Sequence, residues 1–313
     1  MQTARGMAQA GAAMAMVGGA VTASTFLTDV ALFGAQSVRY LAAALVLVVL
    51  SRRRPQWRLV RPIGAEWWWL IGGATAGLSV YNLAVVAALD HAEPTVVATV
   101  VSGVPLVLAI GAPIVVGRAV PLPLLVAACA VAAGAAMVQG GGRSDLAGIG
   151  LSLLALGGES AFTLLSLPVL GRLGAFSVAT HTSWLAALQL GILAVVSDGA
   201  DALPPLEVSV IAAIAYLVAA SAFAFALWFL AVAEIGGAFA GLAAGLIPAA
   251  AIVTGLPFGV ATLDAGAILG TAIVAGGLGA GLWSAGAARS ARSLTSSSVD
   301  VIASPHAVPP PGS

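Results

Sequence analysis

Ten long apolar stretches, bounded by charges, prolines or glycine clusters, run along the chain at approximately 7–28, 30–50, 67–89, 94–116, 121–139, 146–170, 176–197, 208–232, 238–260 and 265–284. They hold roughly seven-tenths of the residues. Yet of 12 basic and 12 acidic side chains only Arg39 and Glu159 lie inside them. About 20 apolar residues carry an α-helix across the roughly 30 Å hydrocarbon layer of a bilayer, where the backbone must satisfy its own polar groups. The pattern predicts an all-α polytopic membrane protein of ten transmembrane helices. It argues against an ordinary soluble enzyme, in which about a quarter of the residues are charged; here the figure is 8%.

Orientation follows from the basic residues, which are retained on the cytoplasmic side. Arg52, Arg53, Arg54, Arg58 and Arg61 crowd the loop between spans 2 and 3. With ten alternating spans, both termini and Arg5, Arg118, Arg172, Arg289 and Arg292 then fall on the same side, leaving Arg143 opposite. Acids collect on that opposite side, at Asp29, Asp90, Glu93, Asp145, Asp198, Asp201, Glu207 and Asp264. Trp57, Trp67, Trp68, Trp69, Trp228 and Trp283 fall near the cytoplasmic ends of spans, the headgroup level that amphipathic rings favour. A bacterial inner membrane is the expected location. Arg5 and the apolar run behind it also resemble a signal peptide, but removing span 1 would leave unequal halves. Residues 287–313, rich in Ser, Ala and Pro, are expected to form a disordered cytoplasmic tail.

Several chemistries lose support. One cysteine, Cys129, allows no internal disulfide and no cysteine cage, and His91, His181 and His306 form no ligand spacing. No metal or cofactor is implied. Zero net charge argues against a nucleic-acid partner. Every basic residue is arginine, so a phosphate-binding G-x-x-x-x-G-K-[ST] loop cannot exist and the chain does not drive itself with ATP. Membrane lipid surrounds such a chain, and pairing with a second copy stays open.

A shift of 143 residues superimposes spans 3–5 on spans 8–10 without a gap, pairing Pro105 with Pro248, Gly134 with Gly277 and Ala88 with Ala231. Extended backward it pairs Phe33 with Phe176 and sets Arg39 opposite Thr182. The chain thus divides into five-helix halves, 1–140 and 141–286. An odd number of spans forces the second half to insert upside down, giving the inverted repeat typical of secondary transporters.

The order of these segments resembles the drug/metabolite transporter superfamily, in the branch built from two EamA domains. The segments that carry the resemblance are Gln36-Ser37-Val38-Arg39-Tyr40-Leu41-Ala42-Ala43-Ala44 with the arginine run at 52–54, and Tyr81-Asn82-Leu83-Ala84-Val85-Val86-Ala87-Ala88-Leu89. With them go Val104-Pro105-Leu106, Glu159-Ser160-Ala161-Phe162-Thr163-Leu164-Leu165 before Gly171-Arg172-Leu173-Gly174, Ile247-Pro248-Ala249, and Gly270 through Gly277. It covers roughly residues 10–285. It departs from the pattern in span 1, where Gly18-Gly19 and Thr22 to Thr25 replace the usual tryptophan-glycine and lysine, and after span 9, where the glycine-glutamate is missing. The resemblance implies export of a small organic metabolite, amino acid or drug-like compound by alternating access, against inward protons, with a central cavity among spans 1, 3, 4, 6, 8 and 9.

An ionisable group inside the bilayer costs several kcal/mol unless paired or hydrated, and is a functional candidate by default. Glu159 lies near the midplane of span 6 and can alternately hold a proton and a cationic substrate. Arg39 must find an acid, helix-end carbonyls or an anion; stapling helices, or pairing with Glu159, is its expected role. Tyr81 and Asn82, midway along span 3, can orient a polar ligand or bond across helices. His181 and Trp184 share a face of span 7 and can stack a ring or shuttle a proton; Gln36, Gln189 and Trp228 are weaker candidates. Pro105, Pro113, Pro248 and Pro257 are expected to kink spans 4 and 9, Pro105 and Pro248 marking a hinge or cavity wall. Gly237/Gly241/Gly245, Gly266/Gly270 and Gly277/Gly281 read as close helix packing. The alternative function is a membrane-embedded enzyme or flippase acting on lipid-linked substrates; the clustered acids, histidines or arginines such an enzyme presents to phosphate or metal do not recur here as a motif.

Overall fold

The structure, a computed structural model, describes residues 2–27, 31–53, 55–199, 204–205, 207–281 and 283. Asp29, Arg54, Asp201, Arg289, Arg292 and the expected disordered tail lie outside the described residues.

Nine helices among the described residues are long and apolar enough to cross a membrane: α1 (Thr3–Leu27), α2 (Leu32–Arg53), α3 (Glu66–Leu89), α4 (Pro94–Val115), α5 (Leu122–Gln139), α6 (Leu146–Leu173), α7 (Ala175–Ser197), α8 (Val208–Ile235) and α9 (Gly237–Phe258). A shorter apolar helix, α10 (Ala265–Gly281), follows. The molecule is an all-α, multi-pass membrane protein. Its outer faces carry exposed Leu41, Leu45, Val49, Leu153, Leu154, Ile192, Val195 and Val196, apolar surface that water disfavours and lipid accepts.

Punctuation in the sequence sets the helix ends. Pro94 starts α4 where its missing N–H costs no hydrogen bond, and the Asp145 carboxylate caps α6 by accepting from the Gly148 N–H at 2.8 Å. A single residue joins α6 to α7 and α8 to α9: Gly174 at φ 76, ψ 162 and Gly236 at φ 83, ψ 153. That backbone region is closed to a residue with a Cβ.

Interiors of four helices depart from the regular α form, α6 among them, whose helix stops at Leu164 and resumes at Leu167. The α3 backbone passes through a π-helical stretch at Thr75–Val80. In α4 the α-helix stops at Val101 and resumes at Val104, and in α9 a 3₁₀ stretch, Leu242–Leu246, precedes a helix resumed at Ile247. Pro105 and Pro248 therefore sit in the first turn of a restarted helix, where an N–H has no intrahelical acceptor to lose. Spans 4 and 9 are thus interrupted in the turn before Pro105 and Pro248. Pro257 falls in the terminal 3₁₀ turn, Leu256–Phe258, leaving Pro113 as the proline inside a helix.

Helix starts repeat along the chain. Leu32 and Ala175, Pro94 and Gly237, Val104 and Ile247, and Leu122 and Ala265 each begin a helical segment, 143 residues apart. Packing follows the same exchange: α1 lies on α8 and α9 while α6 lies on α3 and α4, and α2 pairs with α7. At the α5–α10 crossing, a Cβ on Gly134 would stand 2.7 Å from the Gly270 carbonyl oxygen, and one on Gly277 would stand 3.1 Å from that of Ala127. Gly241 likewise packs on Leu108, its Cβ position 2.8 Å from the leucine Cβ. The spaced glycines serve close packing, as expected.

Two faces close the bundle. On the arginine-bearing face, Arg5 pairs with Glu234 at 3.5 Å, and Arg172 pairs with Glu66 while donating to the Arg61 carbonyl. On the opposite face His91 meets Asp145 at 2.9 Å and Arg143 meets Glu93 at 3.1 Å. Trp68, Trp69 and Trp283 are exposed, as interfacial rings would be, but Trp228 is not: it is 5% exposed and its indole donates to Thr163 Oγ1 at 2.9 Å. Trp228 is thus an internal hydrogen-bonding residue, not part of a headgroup belt.

Candidate functional site

Glu159 occupies the middle of α6, half-buried. Its neighbour Gly158 brings α6 against α3: a Cβ there would stand 2.5 Å from the Ala76 carbonyl oxygen and 3.5 Å from the Tyr81 Cα. This contact sets Glu159 within electrostatic reach of Tyr81, a reach that Arg39 and Tyr40 of α2 share. The Tyr81 ring follows directly on the π-helical stretch, where a changed helical phase re-aims side chains and functional sites often lie. The α7 residue Gln189 holds that stretch: Ser79 Oγ donates to its Oε1 at 2.7 Å, and its Nε2 donates to Thr75 Oγ1 at 2.9 Å.

Aromatic rings gather one turn along α6. Phe162, one turn beyond Glu159, lies 5.0 Å from Phe225 and 5.2 Å from Phe229, while Tyr40 stacks on Phe225 at 6.1 Å. Next to Glu159, Ser160 is 1% exposed, and its hydroxyl has no hydrogen-bond partner among the described residues.

Arg39 does not pair with Glu159. Its Nε donates to Ser221 Oγ on α8 at 2.6 Å, its Nη1 to Gln36 Oε1 one turn back at 3.0 Å, and its guanidinium lies 5.0 Å from the centre of the Tyr40 ring. No ion pair engages Glu159 among the described residues. Arg39 therefore fastens α2 to α8 through a hydroxyl and an amide, which leaves the Glu159 carboxyl without a counter-charge.

Asn82 spends its amide on its own helix, Nδ2 donating to the Leu78 carbonyl at 2.5 Å. His181 and Trp184 form a different cluster. Trp184 Nε1 donates to His181 Nδ1 at 3.0 Å, so the imidazole proton sits on Nε2, which faces the Val60 carbonyl at 3.3 Å. Trp67 closes edge-on over both rings, and Trp57 stacks on Phe176 at 4.6 Å. These residues clamp the α2–α3 loop to α7. Tyr40 and Ser221, which engage Arg39, Phe225, which stacks on Tyr40, and Ser160, beside Glu159 in the chain, were not singled out in the sequence. Tyr40, next to Arg39, was the one with a local signal.

Two clefts open at the periphery. One, of about 490 Å³, lies between α3 and α6 against Gly72, Thr75, Val80, Leu153, Gly157 and Leu165. The other, of about 460 Å³, lies at the arginine-bearing end of α2. Neither is lined by Glu159 or Arg39.

No protein-family model matches the sequence, and no curated protein matches it. A solved crystal structure is similar in fold, with a TM-score of 0.76 over 88% of this chain and 94% of that one, at 16% sequence identity. At such identity the likeness concerns the fold alone.

Proposed function

We propose that the chain is a secondary transporter of the drug/metabolite type, built from two inverted five-helix repeats, 1–140 and 141–286, with α10 as the tenth span. It exports a small organic metabolite, amino acid or drug-like compound across a bacterial inner membrane, both termini being cytoplasmic, and catalyses no chemical reaction. The observation that carries the reading is Glu159: an intramembrane carboxyl with no ion pair among the described residues, on the α6 face packed against α3 and within electrostatic reach of Tyr81. Such a group is costly to keep ionised in a low dielectric, and exchange of its proton for a cationic or polar cargo removes that cost.

The repeat rests on the 143-residue spacing of the helix starts and on the exchanged packing of α1 and α6. The end clasps obey it too. Asp145 at the start of α6 meets His91 at the end of α3; on the other face Arg5 at the start of α1 meets Glu234 at the end of α8, and His91 and Glu234 are 143 residues apart. Related halves of opposite insertion can exchange conformations and expose one site to each side in turn.

The test uses purified protein in liposomes. With an imposed pH gradient, flux of a panel of amino acids and organic cations is expected for the wild type and is lost in Glu159→Gln. In a Cys129→Ser background, a Tyr81→Cys thiol should react with a membrane-impermeant reagent. Full pH-driven flux in Glu159→Gln at every pH, or a Tyr81→Cys thiol sealed from both sides, would overturn the reading.

A further inference from the structure

The cleft at the end of α2 has a chemistry of its own. Its lining is Val48, Ser51 and Arg52 from the last turns of α2, with Pro55, Arg58 and Leu59 from the loop that follows. Arg52 and Arg58 are exposed, and no acid or hydrogen-bond acceptor engages either side chain among the described residues. Their neighbours differ: Arg5 and Arg172 on the same face are each bound to a glutamate. Positive charge is therefore left uncompensated at this cleft, opposite an apolar wall of Val48, Pro55 and Leu59.

The loop that shapes it is anchored. Trp57 is stacked on Phe176, the Val60 N–H donates to Ser177 Oγ at 2.9 Å, and the Val60 carbonyl accepts from His181. The exposed Trp68 and Trp69, in the first turn of the adjacent α3, mark the headgroup level at which the cleft opens. A guanidinium presents its donors in a planar fork that matches phosphate oxygens, and basic pockets at this level accept anionic lipid headgroups.

We propose that this cleft is a binding site for an anionic phospholipid, its phosphate held between Arg52 and Arg58 and the first carbons of an acyl chain lying along Val48 and Leu59. The site is independent of transport: it requires membrane residence and the anchored loop. Occupancy ties the end of α2, the helix that carries Arg39, to the lipid surface.

The full chain is reconstituted in phosphatidylcholine vesicles doped with phosphatidylglycerol, and the lipid retained on the extracted protein is measured by native mass spectrometry. Phosphatidylglycerol is expected to be retained over phosphatidylcholine, less so at high salt. At about fivefold per arginine, the Arg52→Ala/Arg58→Ala variant loses about 25-fold in apparent affinity. The Arg52→Lys/Arg58→Lys variant keeps the charge, loses the fork, and falls between. Arg118→Ala, a basic residue outside the cleft, retains lipid like the wild type, and circular dichroism verifies that each variant folds. Equal retention of the two lipids, unchanged retention in the double alanine variant, or displacement of the lipid by inorganic phosphate would overturn the assignment, the last by showing a site for a soluble anion.

Discussion

The α5–α10 crossing makes a sharp prediction, because two backbones meet there with nothing between them. A Cβ on Gly270 would stand 2.5 Å from the Gly134 carbonyl oxygen and 2.9 Å from the Val138 nitrogen; one on Gly134 would stand 2.7 Å from the Gly270 oxygen. Ordinary van der Waals contact begins near 3.4 Å, so alanine at either position requires the helices to part by 0.7 Å (3.4 − 2.7) to 0.9 Å (3.4 − 2.5). The carbonyl oxygens and the Val138 and Val274 nitrogens among these atoms are backbone and cannot rotate away. A gap of that size forfeits a quarter to a half of each dispersion contact along the seam, which is lined by the fully buried Val131 and Val274. Gly134→Ala and Gly270→Ala are each expected to destabilise the protein by about 2 kcal/mol, within the range for overpacked interiors. Gly276, on the same α10, has open space at its Cβ position. There alanine relieves the helix of a flexible residue and is expected to be neutral or stabilising by up to about 1 kcal/mol. Equilibrium unfolding in mixed detergent micelles, followed by circular dichroism, measures all three. If Gly134→Ala and Gly270→Ala unfold within about 0.3 kcal/mol of Gly276→Ala, the close crossing is refuted.

Two other perturbations test the clasps and staples. Asp145 lies outside the membrane spans, and its carboxyl is held below the usual carboxylate range first by the Gly148 N–H and then by the His91 side chain. A depressed folded-state pKa stabilises the fold above the ordinary carboxylate value and loses that effect as pH falls through the lowered one. Unfolding midpoints from neutral pH down to about pH 3 should therefore drop more steeply in the wild type than in Asp145→Asn; parallel curves would refute the cap. Arg39→Ala leaves Ser221 Oγ and Gln36 Oε1, both on buried residues, without their donor, and is expected to cost about 1–3 kcal/mol. In a double-mutant cycle with Ser221→Ala the coupling should reach at least about 0.6 kcal/mol, the mean for side-chain hydrogen bonds inside membranes; additive effects would remove the α2–α8 staple.

Much of the fold was legible because the bilayer imposes a one-dimensional rule. A span must be long, apolar and free of charge, so the windows at 94–116, 121–139 and 208–232 foretell α4, α5 and α8 to within three residues at each end. Ends were legible where a residue type has a local mechanism: Pro94 at a helix start, Asp145 as a cap, Gly174 and Gly236 at positive φ. Helix interiors were legible only in part: the breaks in spans 4 and 9 precede Pro105 and Pro248, where a missing N–H has a local effect. The π-helical stretch of α3 was not, because a neighbouring helix holds it, through Gln189 to Ser79 and Thr75.

The same division runs through the candidate site. The sequence by itself determined that Arg39 and Glu159 would be the two charges deep within the spans, away from their ends, because charge and chain position suffice for that statement. Only the tertiary structure decided their partners. Arg39 turns to Ser221 and Gln36, His181 and Trp184 turn to each other and to Val60, and Trp228 turns inward to Thr163. Each is a hydrogen bond of under 3.5 Å, a range shorter than one turn of helix. Helix rotation and crossing geometry therefore decide it, and these follow from the packing of small residues such as Gly158 and Gly134 rather than from any apolar period along the chain.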